Sequence, residues 1–143
     1  MKLMVINGPN INMLGIREKN LYGNENYEYL CEMIKKYCTS NNHDVDIYQS
    51  NHEGEIIDWI QKAYFDQYDG IVINPAAYTH TSVAILDAIK AISPIPVVEV
   101  HISDISQRDE FRKFSYTSLA SKKQIVGKGL EGYILAIDYL IEL

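Results

Sequence analysis

Two residues capable of acid–base chemistry, Glu99 and His101, lie two positions apart in an apolar run that predicts a β-strand. Side chains at this spacing lie on the same face of a sheet, so the carboxylate can contact the imidazole. Such a carboxylate can hold the ring in one tautomer and favour its protonated form for acid catalysis. A histidine that is simply satisfied at a strand end would show the same spacing, and position alone does not separate the two interpretations.

A second group of reactive side chains follows the apolar run 3–6, in the polar segment 7–23. This segment carries the amide of Asn10, the guanidinium of Arg17 and the phenol of Tyr22. A phenol with a pKa of about 10 is ionised to only ~0.1% at neutral pH, so Tyr22 could act as a base only if its pKa were lowered by several units. A nearby guanidinium could supply part of that change. Apolar residues within the segment favour a functional loop over disorder.

Arginine is used sparingly in this chain. Lysine and arginine together number 13, and the three arginines, Arg17, Arg108 and Arg112, all lie in segments that carry candidate site residues. The planar guanidinium suits carboxylates and paired hydroxyls, whereas lysine acts as a mobile point charge. The placement suggests a site that binds an oxygen-rich ligand.

The segment after the third predicted strand supplies two further candidates, Asn74 and His80. A lone histidine in such a loop is more often a capping or core residue than a ligand contact. The histidines and cysteines lack metal-ligand spacing, and Cys31 and Cys38 lie two helical turns apart, so we predict no metal site and no disulfide. The G-x-G-x-x-G sequence at 127–132 is not followed by the strand and acidic residue of a dinucleotide site, so it predicts a tight turn with close helix packing.

Strand and helix patterns alternate along the chain, which predicts five units in an α/β, flavodoxin-like, doubly wound parallel sheet of order 2-1-3-4-5. Ligands bind such sheets beyond the carboxyl ends of the strands, where the order reverses between strands 1 and 3, and the candidate residues converge there. Asn24 is the predicted N-cap of a helix over 25–41. Ser106 and Asp109 resemble a capping box that opens a short helix carrying two of the arginines.

Composition excludes several function classes. The net charge is −6 and the pI about 5.1, with no basic run, which argues against nucleic-acid binding. No apolar run approaches the ~20 residues of a membrane span, and the first residues enter a strand at once, so we expect no signal peptide and a cytoplasmic protein. At 143 residues, the chain is expected to form one domain over 1–143.

Several segments, in order, resemble one known family. They are Asn-Gly-Pro-Asn at 7–10, Leu-Gly-x-Arg-Glu at 14–18, Tyr-Gly at 22–23, Asn-x-x-x-x-Thr-His-Thr-Ser at 74–82, Glu-Val-His-Ile-Ser at 99–103 and the glycine-rich turn at 127–132. Together they resemble type II 3-dehydroquinate dehydratase over essentially the whole chain. A match in several parts is far more specific than any one short motif.

The resemblance implies a hydro-lyase of the shikimate pathway that converts 3-dehydroquinate to 3-dehydroshikimate by anti elimination through an enolate, without cofactor or metal. It implies that Tyr22 removes the C2 proton, that His101 protonates the departing C1 hydroxyl and that Asn10 stabilises the enolate through a water. Glu99 would orient His101. Arg17, on a mobile lid, would lower the pKa of Tyr22.

The resemblance also implies the substrate contacts and the assembly. The implied substrate-binding residues are Ile102 and Ser103 through their backbone amides to the carboxylate, and Asn74, His80 and Arg112 to the ring hydroxyls, with Arg108 adding positive potential. Family members are dodecamers of four trimers in which a neighbour completes each site, and Asp87 would be that contribution. Asp87 could equally be a solvated residue paired with Lys90. Lys19-Asn20-Leu21 departs from the Glu-Pro start that many relatives have there, which leaves lid mobility open.

Functions of other classes fit the sequence less well. A phosphoacceptor domain of this fold needs aspartates where Asn7 and Asn74 stand. The main alternative is a flavodoxin-like module that binds a nucleotide or other small molecule without this activity, but the sequence after the first strand is a poor phosphate cradle. A dehydratase that forms a lysine Schiff base on a (β/α)8 barrel needs ~250 residues.

Overall fold

The computed structural model describes residues 1–16 and 25–143 of the chain. The elements in these ranges are β1 (Lys2–Asn7), α1 (Tyr27–Ser40), β2 (Asp44–Gln49), α2 (Glu53–Phe65), β3 (Gly70–Asn74), α3 (Val83–Ala91), β4 (Val97–His101), β5 (Lys123–Val126) and α4 (Glu131–Glu142). The strands form one parallel sheet in the order β2-β1-β3-β4-β5. The predicted fold class and strand order are confirmed.

The sheet is covered on both faces because its central strands carry apolar side chains on both. In β1, Leu3 and Val5 point into one core, with α1 and α4, while Met4 and Ile6 point into the other, with α2 and α3. Strands buried on both faces read as continuous apolar runs, as the 3–6 run does here. The strand order reverses between β1 and β3, so the loops after these two strands diverge to opposite faces and leave a crevice.

The start of α1 differs from the prediction. Asn26, not Asn24, is the N-cap, and its side-chain oxygen accepts a hydrogen bond from the amide of Tyr29 at 2.8 Å. Asn24 itself lies outside the described residues. The helix predicted over 25–41 therefore begins later, at Tyr27, because Asn26 caps it, and it ends one residue earlier, at Ser40.

The predicted capping box after β4 is wrong. The segment forms two 3-10 turns, Ile105–Gln107 and Glu110–Arg112, instead of one helix. Asp104 caps the first turn by accepting a hydrogen bond from the amide of Ser106 at 3.0 Å. With this carboxylate one residue before the turn, Ser106 lies inside it and cannot be the cap.

The glycine-rich turn has the structural role predicted for it. Gly127 and Gly129 have φ of 73° and 62°, the left-handed region that favours glycine. A β-carbon on Gly132 would lie 3.3 Å from a methyl carbon of Val100, so α4 packs closely on β4 at this point. The interpretation as a tight turn with close helix packing is confirmed.

The two cysteines both lie on α1 and carry free thiols, with Cys38 buried and Cys31 half-buried. Over the ranges 1–16 and 25–143, no helix combines the length and apolar character that a membrane span requires.

Candidate active site

A cleft of about 630 Å³ lies beyond the carboxyl ends of β1, β3 and β4, where the sheet topology predicts a ligand site. The predicted site residues that line it are Asn10, Asn74, His80, His101, Ile102, Ser103, Arg108 and Arg112. Tyr22 and Arg17, the predicted base and its guanidinium, lie outside the described residues. The eight lining residues lie at or after the carboxyl ends of β1, β3 and β4, so these three loops converge on one cleft, as predicted.

The loops after β1 and β3 contact each other directly at the floor of the cleft. The amide of Gly8 donates a hydrogen bond to the carbonyl oxygen of Asn74 at 2.7 Å. A β-carbon on Gly8 would lie 2.6 Å from the carbonyl oxygen of Pro75, a distance that real β-carbons do not reach. Glycine is needed here for close backbone approach. Asn10, two residues further along the loop, has a backbone in the left-handed region (φ 70°). Its backbone N–H donates a hydrogen bond to Oδ1 of Asn51 at 3.0 Å.

A buried polar network joins the roots of these loops. The hydroxyl of Tyr133 on α4 donates to Asn7 Oδ1 at 2.6 Å and accepts from Asn74 Nδ2 at 2.9 Å. Asn74 Oδ1 in turn accepts from the amide of Ala76 at 3.1 Å. Burial raises the pKa of Tyr133 above its ordinary value, so the phenol stays neutral and can donate. The side chain of Asn74 is thus fixed from behind the cleft.

The predicted pair of Glu99 and His101 is present. Glu99 is fully buried, and its Oε2 lies 2.5 Å from Nε2 of His101. Because an ionised carboxylate can only accept, Nε2 carries a hydrogen, and Nδ1 is the ring nitrogen left for another partner. His101 is 4% exposed at the cleft floor, so the imidazole works in a largely dehydrated setting.

Glu99 is ionised despite its burial. Burial alone would raise the pKa of this carboxyl, but hydrogen bonds and charge from His101, with hydrogen bonds from Thr79 and Ser115, outweigh it and lower the pKa below its usual value. Gln124 Nε2 on β5 adds a hydrogen bond at 3.2 Å. A stably negative Glu99 favours a cationic partner beside it.

The remaining polar side chains lie on the walls of the cleft. His80 Nδ1 lies 2.8 Å from the carbonyl oxygen of Phe114, which can only accept, so Nδ1 carries the hydrogen and Nε2 stays available to a ligand. Arg112 Nε donates to Asp109 at 2.9 Å, while Arg108 lines the same wall. Two guanidinium groups in the cleft of an acidic chain would attract an anion.

Backbone donors are also available. Among the described residues, no acceptor pairs with the amides of Ile102 and Ser103, which follow β4 and line the cleft. Adjacent amides at the end of a strand can bind a carboxylate without any charged side chain.

Asp87 does not belong to the cleft of its own chain. It lies exposed on α3, outside the residues that line the cleft. It forms no ion pair with Lys90, so the predicted surface pairing is not seen. Over the described ranges, no three His, Cys, Asp or Glu side chains come together as metal ligands.

The comparison with known proteins agrees with this geometry. A family model described as dehydroquinase class II matches residues 1–141. The chain belongs to this family. It is 60% identical to a 3-dehydroquinate dehydratase of Fusobacterium nucleatum subsp. nucleatum, over 99% of this chain and 97% of the relative. It is 52% identical to a 3-dehydroquinate dehydratase of Lachnospira eligens, over 100% of this chain and 97% of the relative.

A solved structure extends the match to three dimensions. The crystal structure of a type II dehydroquinase from Butyrivibrio crossotus is 63% identical and superposes with a TM-score of 0.95, over 99% of this chain and 97% of the other. The resemblance predicted from the sequence motifs is confirmed for the family and for the fold.

Sequence reasoning missed the supporting residues of this dehydroquinase cleft. These residues are Tyr133, Thr79, Ser115 and Gln124, and no motif or spacing in the sequence marks their supporting roles. One signal was available: buried amides at the ends of β1 and β3 and a buried carboxylate on β4 must find partners. The sequence does not say which residues those partners are.

Proposed function

We propose that this protein is a hydro-lyase that dehydrates 3-dehydroquinate to 3-dehydroshikimate in the shikimate pathway. The observation that carries the proposal is the ionised Glu99 held against His101 at the floor of the cleft, in a chain of the class II dehydroquinase family. The relatives at 52–60% identity are named 3-dehydroquinate dehydratase. Nothing observed favours the nucleotide-binding alternative.

The reaction needs one base and one acid on opposite faces of the substrate. In the proposed mechanism Tyr22 removes a proton from C2, and the electron pair moves onto the C3 carbonyl oxygen to give an enolate. The enolate then expels the C1 hydroxyl, which leaves as water after taking a proton from His101. The new double bond is conjugated with the carbonyl. Glu99 keeps His101 oriented and cationic until the proton leaves.

The developing charge needs hydrogen-bond donors that are already in place. Asn10 is the proposed partner of the enolate oxygen, through a water molecule, and its position is supported by the left-handed turn and the contact with Asn51. Arg17 is the proposed guanidinium that lowers the pKa of Tyr22. Both Arg17 and Tyr22 are assigned from the motif alone.

Substrate binding is assigned to the cleft walls. The amides of Ile102 and Ser103 are the proposed site for the carboxylate. Asn74, His80 and Arg112 are proposed for the ring hydroxyls, with Arg108 strengthening the positive potential. Arg112 is paired with Asp109 in this structure, so it would exchange that contact for the substrate.

The assembly and the cellular location are further parts of the proposal. We place the enzyme in the cytoplasm, as one catalytic domain over 1–143 that forms a dodecamer of four trimers. In that assembly Asp87 would reach a neighbouring cleft, which is consistent with its exposed position away from its own.

The test is direct. 3-Dehydroquinate is added to the purified protein and the absorbance of the conjugated enone product is followed. Tyr22→Phe and His101→Gln should each lower kcat by ~100-fold or more, because each removes a proton-transfer group. Tyr64→Phe, at an exposed tyrosine far from the cleft, is the matched control and should keep full activity.

Reagent controls separate the mechanisms. Turnover should survive both EDTA and borohydride, since the proposed route uses neither a metal nor a lysine imine. Loss of turnover with borohydride would mean an imine mechanism and would overturn the assignment of Tyr22. A folded protein with no turnover at all would overturn the proposed function.

A further inference from the structure

The carboxylate of Glu99 is surrounded by hydrogen-bond donors from residues that do not line the cleft. Thr79 Oγ1, in the turn after β3, lies 2.5 Å from Oε2, and Ser115 Oγ lies 2.8 Å from the same oxygen. Gln124 Nε2, on the edge strand β5, lies 3.2 Å from Oε1. With His101, these groups occupy both oxygens of a fully buried acid.

The donor hydrogens around Glu99 indicate which charge state of its carboxyl group they favour. Ser115 Oγ accepts from the amide of Ser118 at 3.0 Å, so its own hydrogen is free to point at Glu99 or at Thr79, 2.8 Å away. Gln124 Nε2 can only donate, whereas Nε2 of His101 donates while it holds the shared proton. An ionised Glu99 can accept from all of them. A protonated Glu99 would carry a hydrogen on one oxygen, so it would offer fewer acceptor positions to these donors.

We propose that Thr79, Ser115 and Gln124 are positioning residues that act through Glu99: they keep its carboxylate ionised, so that the proton shared by the pair stays on His101. Their role in turnover rests on the proposed function, in which His101 is the acid. They touch no substrate, because none of them lines the cleft. Removing one donor weakens the ionised form and moves the shared proton toward the carboxylate.

The charged groups near Glu99 come from few elements. His101 on β4 is in direct contact, and His80, Arg108 and Arg112 lie across the cleft. Three uncharged residues face Glu99 from the neighbouring elements. They are Ile73 on β3, Gln124 on β5 and Ser115 in the loop that follows Arg112. Ser115→Ala and Gln124→Met leave these cationic groups unchanged. A difference from wild type in the protonation midpoint of Glu99 would therefore come from the missing hydrogen-bond donor.

The charge state can be read without any turnover. Infrared spectra are recorded as a function of pH, and the carboxylic-acid C=O band of Glu99 is assigned by its absence in Glu99→Gln. In Ser115→Ala the midpoint at which this band appears should rise by about one pH unit. Gln124→Met, at an exposed position on the edge strand, should shift the midpoint in the same direction by less, because its hydrogen bond of 3.2 Å is longer. Ser121→Ala, whose hydroxyl only donates to a carbonyl at 2.9 Å, is the matched control and should match wild type.

The kinetic readout separates positioning from a general structural role. In Ser115→Ala and Gln124→Met the acid limb of the kcat profile should move up in pH by the same amount as the infrared midpoint, with KM changed less than about twofold. A uniform loss of kcat at every pH, or an infrared midpoint equal to that of wild type in both variants, would overturn the inference. Absence of turnover in the wild type would instead overturn the proposed function, and the infrared midpoints would still decide this inference.

Discussion

Tyr133 offers a sharp test of how the cleft floor is held. It is fully buried on α4, and its hydroxyl both donates to Asn7 and accepts from Asn74. Tyr133→Phe removes only the oxygen and leaves the ring packing unchanged. In the part of the chain that the structure describes, Tyr133 is the side-chain donor to Asn7 Oδ1.

The magnitude follows from the groups left without partners. Tyr133→Phe strands one buried acceptor, Asn7 Oδ1, and one buried donor, Asn74 Nδ2. Each such group costs about 1–3 kcal/mol, so the free energy of unfolding should fall by about 3 kcal/mol. This is a large fraction of the ~5–15 kcal/mol that stabilises a typical domain. For a urea m-value of ~2 kcal/mol/M, the unfolding midpoint should fall by about 1.5 M.

The assay is equilibrium urea unfolding at one fixed protomer concentration, since self-association would shift the midpoint. Tyr139→Phe is the matched control: it is the same chemical change on the same helix, and its hydroxyl lies at the limit of hydrogen-bond distance, 3.5 Å, from a surface carbonyl. It should change the free energy of unfolding by less than ~0.5 kcal/mol. Equal midpoints for the two variants would refute the view that Tyr133 satisfies the two asparagines.

Three further predictions concern the packing of two glycines and the charge of Glu99. Gly132→Ala should destabilise by about 1 kcal/mol, because its methyl would press on β4, whereas Gly54→Ala, with no atom within 4 Å, should stabilise by a few tenths; equal effects would contradict this account. Gly8→Ala should abolish turnover and lower the thermal midpoint, because its methyl would meet the Pro75 carbonyl oxygen; full activity would contradict this contact. Glu99 has a lowered pKa when folded, so its stabilisation should be present above its ordinary pKa of 4.5 and lost as pH falls further; Glu99→Gln should lack this acid-dependent loss in a pH series of urea titrations.

The fold could be predicted because its signal is spread over the whole chain. Five strand patterns alternate with helical patterns, and the handedness of crossovers leaves few sheet orders that place them together. Element ends were less predictable, because a cap depends on one side chain. Asn24 and Asn26 are equally good caps by type, and only the local backbone selects Asn26.

The candidate site could be predicted where its residues follow strand ends, since a parallel sheet brings those ends to one edge. The contact of Glu99 with His101 needed only the two-residue spacing. The supporting donors could not be predicted in the same way. Ser115 and Gln124 meet Glu99 across 16 and 25 residues, and that distance is closed by the loops and the edge strand, which carry no periodic signal.

Substitutions in the cleft and substitutions behind it should affect the protein in different ways. The cleft residues extend from strand ends and turns, and a change there alters contacts with the substrate while leaving the two apolar cores intact. Tyr133 and the donors around Glu99 lie behind the cleft. Substituting one of them leaves a buried polar group without its hydrogen-bond partner, and turnover changes only as a result of that loss. Substitutions of exposed cleft residues such as Arg108 should therefore lower turnover with little loss of stability. Substitutions behind the cleft, or of the buried Asn74, should change stability or pH dependence first and turnover as a result.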